Sequence, residues 1–273
     1  KNINSDIIEI HNRPNYVKYL TDIKKKKILY FHNDPLSMTG SISIKDRLFL
    51  LNHLDKIIFN SKWSQKRFFI NIENEKLLKQ KTAICYQSTS RKKINFSKKQ
   101  KIISFVGKLN SAKGYDLFGE AVLKILNKYS DWKGIVIGNE PRQKLFYHHK
   151  NLINTGFKSH KYVLKKLEDV SISIVPSRWD EPFGRSSLEA ASRGCAIIRS
   201  NTGGLKETTR HAIVLKKMTS DELFRKIELL IKNKKTLKKL QKLNYNSFKL
   251  TNNYSSKLLD EIRKKLIFKH KEI

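Results

Sequence analysis

Two glutamates eight residues apart, Glu181 and Glu189, lie in the most informative stretch of the chain, residues 176–194, PSRWDEPFGRSSLEAASRG. Paired carboxylates first suggest glycoside hydrolysis, where two carboxyl groups face each other across one bond at roughly 5–9.5 Å. The local sequence argues against that. Pro182 disfavours the α conformation for Glu181 and keeps it in a loop. Pro182 and Gly184 mark a turn, and Arg185 opens a helical pattern that carries Glu189 about one and a half turns inside. A helix start offers unpaired N–H groups and partial positive charge, which suit a phosphate. The two carboxylates therefore bracket an anion site along the chain, an arrangement suited to hydrogen-bonding sugar hydroxyls on either side of a diphosphate.

Two further loops share this logic. Residues 107–114, GKLNSAKG, follow an apolar run; Gly107 permits a tight exit, and Lys108 and Lys113 can neutralise a diphosphate. Residues 202–207, TGGLKE, follow another apolar run, and Gly203 and Gly204 let backbone approach a ligand closely. Each loop alone is weak evidence, since Gly-Lys and Gly-Gly are commonly mere punctuation. Three in order, each after a strand and before a helix, imply one binding rim.

The elements that must position these loops are legible as alternating patterns. Short apolar runs at 7–10, 28–31, 56–59 and 82–86 predict strands, with amphipathic stretches at 16–21, 45–52 and 64–69 between them. Ser61 supplies a hydroxyl for the start of a helix. Residues 88–101, polar and basic without period, predict a linker. Beyond it, apolar runs at 102–106, 134–137, 172–175, 196–198 and 213–215 alternate with helical patterns at 115–128, 160–167, 184–193 and 221–232. Near-continuous apolar strands alternating with helices predict a parallel sheet buried on both faces, which binds ligands at the carboxyl ends of its strands. Residues 236–270 read as Lys-rich and helical. The expected organisation is an α/β domain over 1–87, a linker over 88–101, an α/β domain over 102–245 and a helical segment over 246–273.

Composition narrows the function classes. The 273 residues are 39% hydrophobic, enough for real cores, and no apolar run approaches the roughly 18 residues of a membrane span. Cys85 and Cys195 are too few for a disulfide framework or a cysteine-rich metal site, which points to a reducing, cytoplasmic setting. His148 and His149 have no carboxylate or Cys at ligand spacing and read as a solvated pair, so no metal is expected. The charge of +33 invites nucleic acid, yet 45 of the 57 basic residues are Lys and only 12 are Arg, whose fork favours base and phosphate recognition. Specific nucleic-acid binding is therefore disfavoured. A solvated Lys-rich surface and attraction to an anionic membrane face both stand.

Phe105-Val-Gly-Lys-Leu, Lys113-Gly114, Gly138, Gly156-Phe157, Pro176-Ser177, Glu181-Pro-Phe-Gly, Glu189-Ala, Gly203-Gly204 and Glu207 together resemble the retaining glycosyltransferase family 4, most specifically over residues 102–210. The resemblance implies the GT-B fold, two Rossmann-like α/β domains facing a cleft, and a metal-independent transfer from a nucleotide-diphospho-sugar donor, without a further cofactor, to a glycan or glycolipid acceptor of the cell envelope. It implies that Glu189 holds the ribose, that Glu181 contacts the transferred sugar near the amides of Phe183 and Gly184, with Arg185 at the helix start, and that Lys108 and Lys113 bind the diphosphate. The family carries Arg where Lys108 stands. Tyr30-Phe-His-Asn-Asp-Pro35 resembles the family's His-bearing loop, making His32 a candidate sugar contact; His11 lines the cleft or caps its own strand. Trp179 stacks on a sugar or base, or packs, and Cys195 reads as a small core residue. The chain opens at Lys1 without the family's early glycine-rich loop, so the amino-terminal domain is expected to be incomplete. The expected setting is cytoplasmic, peripheral on the inner face of the membrane. A nucleotide-sugar epimerase of similar fold and a non-catalytic sugar-nucleotide or nucleic-acid binding module remain as alternatives.

Overall fold

The computed structural model describes residues 5–73 and 75–268. The chain divides into two units, one formed by Lys1–Ser88 with Leu250–Ile273 and the other by Thr89–Lys249.

In the first unit, β1 (Ile7–His11), β2 (Lys26–Phe31), β3 (Lys56–Phe59) and β4 (Thr82–Ile84) form a parallel sheet in that order. Helices α1 (Ile44–His53), α2 (Lys62–Phe68) and α3 (Glu75–Lys81) serve as crossovers. Caps set two of their starts. Ser43 and Asp46 form a reciprocal capping box, and the Ser61 hydroxyl accepts from Ser64 N–H at 2.9 Å, as its position predicts. One face of the sheet is apolar, with Leu29, Phe31, Ile57 and Phe59 packed against Leu50, Leu51 and Phe68. The stretch expected as a helix over 16–21 is a 3₁₀ turn, Pro14–Tyr19, without a side-chain cap. A run this short does not offset the cost of helix nucleation.

In the second unit, β5 (Gln100–Val106), α4 (Tyr115–Lys128), β6 (Lys133–Ile137), β7 (Leu152–Asn154), α5 (His160–Leu167), β8 (Val170–Val175), α6 (Arg185–Ser192), β9 (Ala196–Arg199), β10 (Ala212–Val214), α7 (Ser220–Lys232) and α8 (Lys234–Asn246) follow one another. All sheet pairings are parallel, in the order β10-β9-β8-β5-β6-β7. Ile103, Phe105, Ile172, Ile174 and Ile198 meet Phe118, Val122, Leu223 and Ile227 in one core. The doubly covered parallel sheet expected from the apolar runs is therefore present; β7, three residues long, was too short for its pattern to stand out.

Of residues 88–101, expected as a linker, 89–101 are tied into the second unit. Lys99 is the reason: its ammonium donates to the carbonyls of Leu167 (3.0 Å), Val170 (2.7 Å) and Arg193 (2.8 Å). A polar residue without periodicity is here a half-buried anchor. Similarly, the Lys-rich stretch over 236–270 is broken at Ser247 and divides between the units; its last residues, 269 and 270, lie outside the described residues. The helix α9 (Asn252–Phe268) lays Leu259, Ile262 and Leu266 against Ile28, Tyr30 and Ile58 on the second face of the first unit's sheet.

Arg263 fixes α9 to β1 by a two-pronged pair with Glu9 (2.7 and 3.0 Å), and the guanidinium holds the Glu9 carboxyl below its usual range. Glu9 also accepts from the Tyr30 hydroxyl at 3.1 Å. Because the folded-state value is depressed, the stabilisation is present above the unfolded value near 4.5 and is lost as pH falls through the folded value. Arg263→Ala should cost about 1 kcal/mol at neutral pH, given the partial exposure of the pair. In urea melts that cost should shrink as pH is lowered through and below the usual carboxylate range; a cost that stays undiminished in acid would assign the loss to packing.

Candidate active site

Strands β9, β8 and β5 are neighbours in the second sheet, and the chain reverses its direction of growth between β5 and β8. That switch point leaves a crevice at the carboxyl ends of the strands. All three loops singled out in the sequence leave those ends.

Backbone contacts bind the loops together. The N–H groups of Arg178 and Trp179 donate to the Ala112 carbonyl at 2.9 and 3.0 Å, and Gly204 N–H donates to the Glu181 carbonyl at 2.6 Å. Gly203 N–H donates to the Asp180 carboxylate at 3.0 Å. Two glycines allow this closeness. Gly114 has φ +71°, and a Cβ there would sit 2.0 Å from the Pro176 carbonyl oxygen; Gly203 has φ +52°, and a Cβ would sit 2.3 Å from the Glu181 carbonyl oxygen. Arg178 adds a two-pronged pair with Asp116 at 2.7 and 2.8 Å.

Around this seam lies a cavity of about 290 Å³ lined by Gly107, Lys113, Ser177, Glu181, Arg185 and Glu189, with apolar walls from β5 and β8. Lys113 Nζ donates to Glu181 Oε1 at 2.6 Å. Glu189 is 5% exposed, and its Oε1 meets His160 Nε2 at 3.0 Å and Arg185 at 3.2 Å. Gly184, at φ +102°, precedes α6, which has no side-chain N-cap, so the helix start faces the cavity with its amide groups uncapped by any side chain. The arrangement sets two cations, two carboxylates and a helix start around one small space. It suits a ligand carrying both anionic oxygens and hydroxyl donors.

Of the residues expected from sequence, Glu181, Glu189, Lys113, Arg185 and Gly107 line this one cavity. Phe183 is buried beneath the loop, and Gly203 and Gly204 pack against the Glu181 backbone. Lys108 is exposed on the same loop as Lys113, outside the lining. Trp179 is also exposed. His32 belongs to the first unit. There the His11 ring stacks on Tyr30 with centroids 4.3 Å apart, and His11 Nδ1 lies 3.1 Å from His32 Nε2. Burial, then the neighbouring His11, lowers the pKa of His32 and favours its neutral form. Cys195 is wholly buried, as its place between glycine and a strand suggests. Among the described residues no group of three or more His, Cys, Asp or Glu side chains is placed to hold a metal ion.

Sequence reasoning missed the bracing behind the Lys113 loop. Asn110 caps the loop, accepting from Lys113 N–H at 2.9 Å, and donates to Glu140 at 3.2 Å. Arg142 holds Glu140 by a two-pronged contact and lowers its pKa to about 2. The Asn110 cap had a readable signal, an Asn three residues before the amide it accepts from. Glu140 and His160 had none, because their partners lie 30 and 29 residues away.

Residues 87–249 match the family model described as "Glycosyl transferases group 1". Among curated proteins, the 2-deoxystreptamine N-acetyl-D-glucosaminyltransferase of Niallia circulans is 33% identical over 119 residues, covering 41% of this chain and 30% of that protein. The lipopolysaccharide core biosynthesis mannosyltransferase LpcC of Rhizobium leguminosarum bv. viciae is 25% identical over 116 residues, covering 39% and 33%. The chain thus spans about a third of the length of these relatives. Among solved structures, a glycosyltransferase from Rickettsia africae ESF-5 superposes with a TM-score of 0.78 at 19% identity, covering 97% of this chain and 77% of that one. Anabaena Alr3699/HepE, solved in complex with UDP-glucose, gives 0.74 at 14% identity, covering 94% and 78%. These likenesses establish the fold, two Rossmann-like units of the GT-B class.

The loop seam can be tested with two glycines of equal backbone but unequal space. Gly156, at φ +67°, has nothing within 4 Å of an added Cβ. Gly156→Ala should therefore cost only the left-handed term, about 1–2 kcal/mol. Gly114→Ala should cost that and more, because the Pro176 carbonyl cannot swing aside as a side chain can. Equal urea midpoints for the two variants would show that the seam is not tight.

Proposed function

The chain belongs to the group 1 glycosyl transferases, and on that premise we propose that it moves a sugar from a nucleotide-diphospho-sugar to a cell-envelope glycan or glycolipid. The observation that carries this reading is the single cavity at the β5/β8 switch point that gathers Lys113, Glu181, Arg185 and Glu189. The names of relatives support the acceptor class, since one of them acts in lipopolysaccharide core biosynthesis.

Each residue has a part that its chemistry suits. An ionised carboxylate only accepts hydrogen bonds, so Glu189, buried and aimed by His160 and Arg185, matches the paired hydroxyl donors of a ribose. Glu181 accepts from hydroxyls of the transferred sugar, beside the backbone of Phe183 and Gly184. The Lys113 ammonium carries three protons; one is given to Glu181, and two are left for phosphate oxygens. Lys108, exposed at the start of the same loop and outside the cavity lining, adds positive charge at longer range. As the glycosidic bond breaks, negative charge grows on the leaving diphosphate, and cations already held in place lower the barrier without reorganising. In this reading the lysines and the start of α6 stabilise that charge without a metal, and transfer retains the anomeric configuration.

Glu189→Ala should weaken donor binding roughly 10- to 150-fold, about 1.5–3 kcal/mol, the worth of hydrogen bonds to a charged group. Thermal-shift titrations with UDP-, GDP- and ADP-sugars would read this and identify the base; an unchanged affinity would remove Glu189 from the ribose. Glu181→Ala should lower turnover more than donor affinity, since its partner is the sugar in flight. A variant that lost donor affinity and turnover in equal measure would place Glu181 on the nucleotide instead.

A further inference from the structure

At the opposite end of the second sheet, where β5, β6 and β8 begin, lies a larger cavity of about 660 Å³. Its apolar lining includes Trp132, Ile231 and Leu237, and its rim carries Lys234, Lys238 and Lys242 of α8. These lysines recur every four residues, so they share one face of the helix. Like charges at that spacing destabilise a helix, and no acidic residue lies close to them in sequence. Residues 229–259 contain eight Lys and no Asp or Glu. The preceding α7 is built differently, with Glu222 and Glu228 pairing Arg225, Lys226 and Lys232.

The other basic groups at the cavity are already engaged. Lys99 gives its protons to three carbonyls, and Lys101 pairs with Asp131. Lys234 feels Asp131 only at longer range, and among the described residues Lys238 and Lys242 make no ion pair. A stripe of ammonium groups over an apolar floor fits an anion that carries apolar matter behind its charge.

We propose that this groove docks the second unit on an anionic phospholipid surface, the α8 lysines meeting headgroup phosphates and the floor receiving the adjoining apolar part of the lipid. Lysine methylenes can lie along an apolar surface with the ammonium lifted to the charge. Nucleic acid fits less well. The rim offers Lys without an Arg fork, and the Phe96 ring is set edge-on to Tyr245 at 5.6 Å, which is not a stacking platform. The docking end lies opposite the donor cavity of the same sheet, so lipid and donor would not compete.

The full chain should co-sediment with vesicles of equimolar phosphatidylcholine and phosphatidylglycerol and not with phosphatidylcholine alone. The triple variant Lys234→Glu, Lys238→Glu, Lys242→Glu should lose about 100-fold in affinity, from roughly five-fold per lysine near an anionic surface. The charge-matched control Lys24→Glu, Lys25→Glu, Lys45→Glu, which changes exposed lysines of the first unit, should lose less than about 10-fold. The triple Lys→Gln variant, with thermal melts of all three, guards against misfolding and should also bind more weakly than the parent chain. Equal losses in the groove and control variants would overturn the proposal in favour of bulk charge. Binding to phosphatidylcholine alone, full displacement by millimolar inorganic phosphate, or preferential capture of a single-stranded oligonucleotide would overturn it as well.

Discussion

Two backbone seams hold the candidate site together: Gly114 lies against the carbonyl of Pro176, and Gly203 lies against that of Glu181. In both places the chains approach more closely than any side chain permits. The hydrogen bonds from Arg178, Trp179 and Gly204 exist because of that closeness, and so does the position of Glu181 beside Lys113. The seams in turn require β5, β8 and β9 to be neighbours and parallel, since only then do their following loops emerge side by side. Sheet order, glycine placement and the arrangement of charges form one dependency.

Within that frame, electrostatics and burial divide the two glutamates. Glu181 is held by the flexible Lys113 ammonium, which has protons to spare. Glu189 is sunk in α6, with His160 and Arg185 both meeting its Oε1. A fixed acceptor suits a constant part of a ligand, and an adjustable one suits a part whose bonding changes. The same economy explains the bracing by Asn110, Glu140 and Arg142, which stiffens the loop under Lys113 without entering the cavity.

Charge along the chain is likewise not uniform in its use. Lys99 is a half-buried structural anchor, Lys113 a member of the cavity, and the α8 lysines a stripe on one helix face. Composition sees these three kinds of Lys as one. Only their surroundings separate them, which is why residues 89–101 read as a linker and yet begin a strand.

The sequence by itself determined the alternation of apolar runs and helical patterns, because that periodicity is imposed locally by each element's own geometry. It thereby settled the parallel sheets, the Ser61 cap, the turn at Pro182–Gly184 and the membership of Glu181, Glu189 and Lys113 in loops or helices after strands. Tertiary structure alone decided what is non-local. It set the order β10-β9-β8-β5-β6-β7, brought His160 to Glu189, put Lys108 outside the cavity that Lys113 enters, and sent α9 back to the first sheet through Arg263 and Glu9. Partners separated by tens or hundreds of residues leave no periodic mark on the chain, so their pairing is fixed only when the sheet closes the distance.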